Sequence, residues 1–153
     1  MPVRKFVLDT NCFIDATRDA DFRAAFVRFS EAAAPGLYLS AVVAAELRAG
    51  ARNRKASELL EKRVLAPYLR RGRILTPTTR SWEALGRVLA VLGERDGLRD
   101  RQTPRSFVFD VLIAQSCREA GATLISRNHR DLARIAKIAP FDFEPPFPSL
   151  DGG

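Results

Sequence analysis

Histidine is nearly absent from this chain, one residue in 153, and cysteine is scarce at two. That scarcity excludes the common zinc sites, which need several such ligands at short, fixed spacings. Cys12 and Cys117 each lie among apolar neighbours and read as buried, reduced thiols. A reactive thiol would need a histidine beside it, and His129 is the only one available. Long apolar runs are missing too: nothing approaches the roughly 18 uncharged residues of a membrane span. The first residues lead into a short strand without the apolar stretch and cleavage site of a secretory signal. A cytoplasmic protein with no membrane association is the expectation.

An acidic balance is also lacking. Lysine and arginine number 25 against 18 aspartates and glutamates, for a formal charge of +7 and a pI near 10.2. Such a surface attracts polyanions, nucleic acid first among them. The basic residues bunch at Arg52, Arg54 and Lys55, at Arg70, Arg71 and Arg73, and at Arg99, Arg101 and Arg105. Solvated helix faces account for such bunches equally well.

What is present is an alternation of strand and helix periods, the pattern of an α/β domain on a parallel sheet, at a length suited to one domain. Phe6-Val7-Leu8 is a continuous apolar run ending at Asp9-Thr10-Asn11, as expected of a strand buried on both faces. Phe22, Ala25, Phe26 and Phe29 recur at helical spacing, and Pro35-Gly36 turns the chain into a second strand, Leu37 to Leu39. Ser40 is placed to cap the next helix, where Val43, Glu46 and Leu47 share a face. A further helix over Ala56 to Leu65 meets an irregularity or restart at Pro67.

Arg73 to Thr76 is a third strand, and the helix from about Arg80 to Glu94 offers Trp82, Leu85, Val88, Leu89 and Leu92 to the core. Asp96 to Pro104 reads as a surface loop. Ser106 to Ala120 forms a helix carrying Asp110, Ile113, Ala114 and Cys117 on one face, with Gly121 as its left-handed stop. Ala122 to Ser126 is the fourth strand and runs into Arg127-Asn128-His129-Arg130-Asp131.

Doubly wound sheets bind ligands beyond the carboxyl ends of their strands. Asp9, Glu46, Asp110 and Asp131 all fall at that edge. Two carboxylates about 4 Å apart repel by roughly 4 kcal/mol at an effective dielectric near 20, so either protons or a divalent cation must offset the charge. Hard oxygen ligands suit Mg2+ or Mn2+, which coordinate phosphate oxygens and activate water for phosphodiester hydrolysis.

Val7-Leu-Asp-Thr-Asn11 resembles the opening motif of PIN domains, particularly VapC-type toxins of toxin-antitoxin systems. Ala45-Glu46-Leu47 with Gly50 is similar to the second acidic motif of that family. Asp110 to Cys117 and Gly121 to Asn128 resemble its third and fourth. The four occur in order and span nearly the whole chain. The resemblance implies a single PIN domain over 1–153, with about 144–153 as a Pro-rich tail. Its fold is a three-layer α/β/α arrangement with a central parallel sheet of four to five strands. It further implies that Asp9, Glu46 and Asp110 hold Mg2+ or Mn2+, that Asp131 completes the acidic set, and that Thr10, Asn11 and Asn128 support them. Arg105, Arg127 and Arg130 become the candidate RNA contacts. Many members carry their last acid at the position of Asn128, and here only Asp131 is charged. The family also implies RNA cleavage to a 5′-phosphate and a 3′-hydroxyl, a homodimer, and neutralisation by a VapB-type antitoxin laid across the toxin's groove. The apolar helices from Phe22 to Leu60 suit such a groove and suit ordinary core packing equally well.

Singly, these acids have plainer explanations: Asp9 as a strand-ending turn residue and Asp110 as a helix-dipole partner. Asp15, Asp96 and Asp100 read as solvated acids, and His129 as an exposed loop residue. Haloacid-dehalogenase-like phosphatases also open on a strand ending in Asp, but they need a second acid two residues on, where this chain has Asn11. A housekeeping RNA-processing nuclease and a non-catalytic RNA- or protein-binding PIN module are the remaining alternatives.

Overall fold

Five short strands, β1 (Lys5–Leu8), β2 (Leu37–Ser40), β3 (Ile74–Leu75), β4 (Ala122–Ile125) and β5 (Phe143–Glu144), form one sheet in a computed structural model that describes residues 3–96 and 103–151. The strand order is β3-β2-β1-β4-β5 and every pairing is parallel. Val7 pairs with Tyr38 on one side and Leu124 on the other, so β1 is central. Its three apolar residues and all four of β4 are buried, because a parallel sheet is covered on both faces.

Alternation along β1 divides the core. Phe6 and Leu8 join Cys12, Phe29, Leu37 and Ile125 on one face, while Val7 joins Leu39, Val43, Val111, Leu124 and Ile135 on the other. Each such side chain contributes roughly 1.5–3 kcal/mol by leaving water. The first face is covered by α1 (Thr10–Arg18) and α2 (Ala20–Ala32). The second is covered by α3 (Ala41–Gly50), α6 (Thr79–Asp96), α7 (Arg105–Ala120) and α8 (His129–Ile138). The three-layer α/β/α architecture thus emerges with all five strands parallel.

Local signals explain the helix ends. Ser40 Oγ accepts from the backbone N–H groups of Val42 and Val43, and Gly121 closes α7 at φ 67°, a left-handed position that favours glycine. Within α7, Val111 to Cys117 are all buried, so this helix runs through the core rather than over it. The chain between α3 and β3 forms α4 (Arg54–Leu59), a π-helical stretch over Leu60–Leu65, and α5 (Ala66–Arg70). The expected irregularity therefore falls just before Pro67.

Several features depart from the sequence expectations. The segment after Asp9 is a helix, α1, with only Cys12 and Ala16 buried, and the acidic-basic segment after Asn128 is α8. Trp82 is 56% exposed rather than in the core. At about 100° per residue it lies nearly 90° from the centre of the Leu85, Val88 and Leu92 stripe. Asp15 is not a solvated acid: its Oδ2 lies 2.5 Å from Arg127 Nη1 and its side chain is only 20% exposed. Beyond β5 the tail is anchored by Phe147, whose ring packs 5.2–6.1 Å from those of Phe22, Phe26 and Phe29 on α2. Residues 97–102, most of the expected surface loop and including Arg99, Asp100 and Arg101, lie outside the described residues, as does the side chain of Asp96. Among the described residues no helix is long and apolar enough to cross a membrane.

Gly36, just before β2, lets that strand approach β1: an added Cβ would sit 2.0 Å from the Arg4 carbonyl oxygen. Gly36→Ala is expected to destabilise the protein by about 1–3 kcal/mol. Gly50→Ala, where a Cβ meets nothing within 4 Å, should leave stability equal or slightly raised. Chemical denaturation compares the two, and equal midpoints would contradict the close approach.

Candidate active site

The direction of chain winding reverses between β1 and β4, since the chain moves outward from β1 through β2 to β3 and then returns to the far side of β1. That crevice is where an open parallel sheet receives its ligands. Asp9 occupies it, 3% exposed, with its backbone N–H donating to Ile125 O at 2.9 Å. Its Oδ1 accepts from the Thr10 backbone N–H at 2.8 Å. Its Oδ2 accepts from Ser126 Oγ at 2.6 Å and from Asn11 Nδ2 at 3.4 Å.

Glu46 and Asp110 are each tied to the same edge by a neutral donor. Thr10 Oγ1 donates to Glu46 Oε1 at 2.9 Å, joining the start of α1 to α3. Asn128 Nδ2 donates to Asp110 Oδ2 at 3.0 Å, joining the start of α8 to α7. Asn11 is held from both ends of its amide: Nδ2 donates to Ser126 Oγ at 2.9 Å and Oδ1 accepts from the Arg127 N–H at 3.2 Å. No lysine or arginine among the described residues is ion-paired with Asp9, Glu46 or Asp110.

The electrostatics reflect that arrangement. Burial pushes the Asp110 carboxyl up to about 7, and the charges of Asp9, Glu46 and Asp131 push it the same way against the Asn128 hydrogen bond. Burial also raises Asp9, against the hydrogen bonds from Ser126 and Thr10. Glu46 is raised by burial and by the Asp9 charge, opposed by the Thr10 hydroxyl and by the charge of Arg105. Asp110 therefore feels the charge of three acids distant from it in sequence. Cys12, just beneath, is pushed up to about 12 by burial and by Asp9, and is not a nucleophile at neutral pH.

The predicted residues differ in how closely they gather. Asp9, Glu46 and Asp110, with Thr10, Asn11 and Asn128, form the bonded network. Asp131 lies one turn into α8, where its Oδ1 faces Arg134 Nη1 at 3.7 Å, and it reaches Asp110 through its charge. Arg105 acts on Glu46 from the first turn of α7, Arg130 is exposed, and Arg127 is engaged with Asp15. Ser126 was missed by sequence reasoning. Its signal was its place, at the end of β4 and two residues before Asn128, where a serine hydroxyl accepts the i+2 amide, as it does here at 3.0 Å.

The donor set fits a hard divalent cation. Asp9, Glu46 and Asp110 are carboxylates with no cationic side chain among the described residues bonded to them, and their repulsion is offset only in part, by the charge of Arg105 acting on Glu46. Among the described residues, no three acidic, histidine or cysteine side chains lie close enough together, as they stand, to hold a metal ion.

The PIN domain family profile matches residues 6–138, from β1 through α8. The chain belongs to the PIN domain family. PIN domains are generally nucleases and generally use divalent metals. Solved structures share the fold over almost their whole length. The structure of FitAB bound to an IR36 DNA fragment matches with a TM-score of 0.67 at 18% identity, over 96% of this chain and 99% of that one. VapBC2 from Rickettsia felis, bound to a DNA fragment from its promoter, matches at 0.62 and 22%, over 92% and 97%. VapBC-1 from nontypeable Haemophilus influenzae matches at 0.61 and 20%, over 92% and 96%. No curated protein matches the chain significantly.

A second concavity of this PIN domain, about 700 Å3, contains none of the four acids in its lining. Phe13, Phe26, Val27, Leu47, Leu60 and Val64 make it apolar, so it overlaps the Phe22 to Leu60 span where a groove was expected and extends beyond it at both ends. Arg63 and Arg71 add positive charge to its wall, whereas Arg73 is tied to the Ala34 and Pro35 carbonyls.

The raised Asp110 carboxyl has a thermodynamic consequence without metal. The folded protein keeps the proton to about pH 7 and the unfolded chain releases it near the ordinary 3.8, so stability falls as pH rises across that interval. Asp110→Asn, which retains an oxygen acceptor for Asn128, removes this loss. In chelator at pH 8 its Tm should exceed that of the wild type by roughly 2–4 °C, the shift that about 1 kcal/mol makes at this size. The gap should close near pH 4. A variant less stable than wild type at pH 8 would contradict the assignment.

Proposed function

We propose that this PIN domain is an endoribonuclease dependent on Mg2+ or Mn2+, with Asp9, Glu46 and Asp110 holding the cation and Asp131 adding charge at its edge. The observation that carries this reading is the gathering of three buried or half-buried carboxylates at the β1–β4 crevice, hydrogen-bonded only to neutral donors among the described residues. A divalent ion bound there supplies Lewis acidity toward a phosphate oxygen and a water of lowered pKa. The chain's own residues do the positioning. Thr10 fixes Glu46, Asn128 fixes Asp110, and the Thr10 amide with Ser126 fixes Asp9. Arg105 and Arg130 offer positive charge to the RNA backbone beside the acids. Arg127 first serves to brace the β4–α8 turn against α1 through Asp15.

The fold shared with FitAB and VapBC proteins, together with the apolar groove beside α1 and α3, supports a toxin role for the nuclease. A VapB-type antitoxin would lay an apolar helix in the groove and meet Arg63 and Arg71 with acidic side chains. The homodimer and the cytoplasmic setting belong to the same reading.

Purified protein should cleave RNA only when Mg2+ or Mn2+ is supplied. Asp9→Asn and Asp110→Asn should each lose more than about 100-fold, beyond the cost of an outer-shell change. Full activity in excess chelator would defeat the metal assignment. Expression without a partner should arrest growth, and the Asp9→Asn form should not. Equal growth of both strains would favour a housekeeping nuclease over a toxin.

A further inference from the structure

Ser126 is 2% exposed, and its hydroxyl has one proton and two lone pairs to place. Two of its three neighbours, Asn11 Nδ2 at 2.9 Å and the Asn128 backbone N–H at 3.0 Å, can only donate. The proton is therefore committed to the third, Asp9 Oδ2 at 2.6 Å. All three capacities of one hydroxyl are used, and each leads to a different part of the site: β1, α1 and the cap of α8.

Holding the backbone does not require this hydroxyl. The Ser126 N–H already donates to Glu144 O at 3.1 Å, and the Asp9 N–H to Ile125 O at 2.9 Å, so the β1–β4–β5 edge is fixed by its own ladder. What the hydroxyl adds is a connection between side chains. Through Asn128, whose Nδ2 donates to Asp110 Oδ2, it links the carboxylate after β1 to the carboxylate on α7. Resting on the nuclease reading above, we propose that Ser126 is the positioning residue of the site: by binding Asp9, Asn11 and the Asn128 amide together, it sets the spacing of Asp9 and Asp110 for one cation. It touches neither substrate nor reacting atoms.

Three variants test this. Ser126→Ala removes the hydroxyl, Ser126→Thr keeps it at a strand end that suits a β-branched residue, and Ser116→Ala removes another buried hydroxyl, one bonded only to Leu112 O of its own helix at 2.7 Å. In Ser126→Ala, Mn2+ affinity by electron paramagnetic resonance and kcat on RNA should each fall about 10–100-fold. KM should change by less than about twofold. In metal-free protein the Asn128 amide should exchange at least about tenfold faster. Ser126→Thr should restore affinity and protection, and Ser116→Ala should leave both intact. Wild-type Mn2+ affinity with a protected Asn128 amide in Ser126→Ala would overturn the proposal, as would a folded Ser126→Thr as impaired as the alanine form. If the wild type cleaves no RNA, the nuclease reading falls, while the Mn2+ and exchange measurements still decide the role of Ser126.

Discussion

Repulsion among carboxylates that the fold forces together is the constraint around which this structure is built. Asp9 cannot move away from the crevice, because its backbone belongs to the β1–β4 ladder and its side chain caps α1. Asp110 is carried into the same space by a helix whose next seven residues are all buried. An ion pair would be the simplest remedy for such charge, yet the bonded partners of Asp9, Glu46 and Asp110 are amides and hydroxyls. Neutral donors orient carboxylates without cancelling them. The site is thereby left with charge to spend on a cation, at a cost in stability when none is bound.

The same two helices that present Thr10 and Glu46 also form part of the apolar groove, through Phe13 on α1 and Leu47 on α3. The groove and the carboxylates therefore draw on the same two helices. Pressure on the packing of α1 against α3 bears directly on the Thr10 to Glu46 hydrogen bond. Strands β1 and β4 are themselves anchored by core on both faces.

Much of the fold was legible because its signals are local. The apolar run Phe6-Val7-Leu8 can only be a strand covered on both sides, Ser40 caps as its position demands, and Gly121 supplies the one conformation that ends α7 there. The acids could be named because strand ends and helix starts place them at one edge. Helices α1 and α8 did carry helical spacing, in Cys12, Phe13 and Ala16 and in Leu132, Ile135 and Ile138, but both are short and open on polar runs, Asp9-Thr10-Asn11 and Arg127-Asn128-His129-Arg130-Asp131, that read as turns. Trp82 sits at the margin of its stripe, where spacing alone does not separate a buried ring from an exposed one. Ser126 is one serine at a strand end, and its three hydrogen bonds come from residues 115 positions earlier and two positions later as well as from Asp9. No local pattern contains that information.

The central claim is that charge only partly offset in the crevice awaits a divalent cation, and a carboxyl carbon-13 NMR titration of Asp110 measures it directly. Without metal the midpoint should lie at about 7, and saturating Mg2+ should draw it down to or below the ordinary 3.8. A midpoint near 3.8 under both conditions would contradict the account.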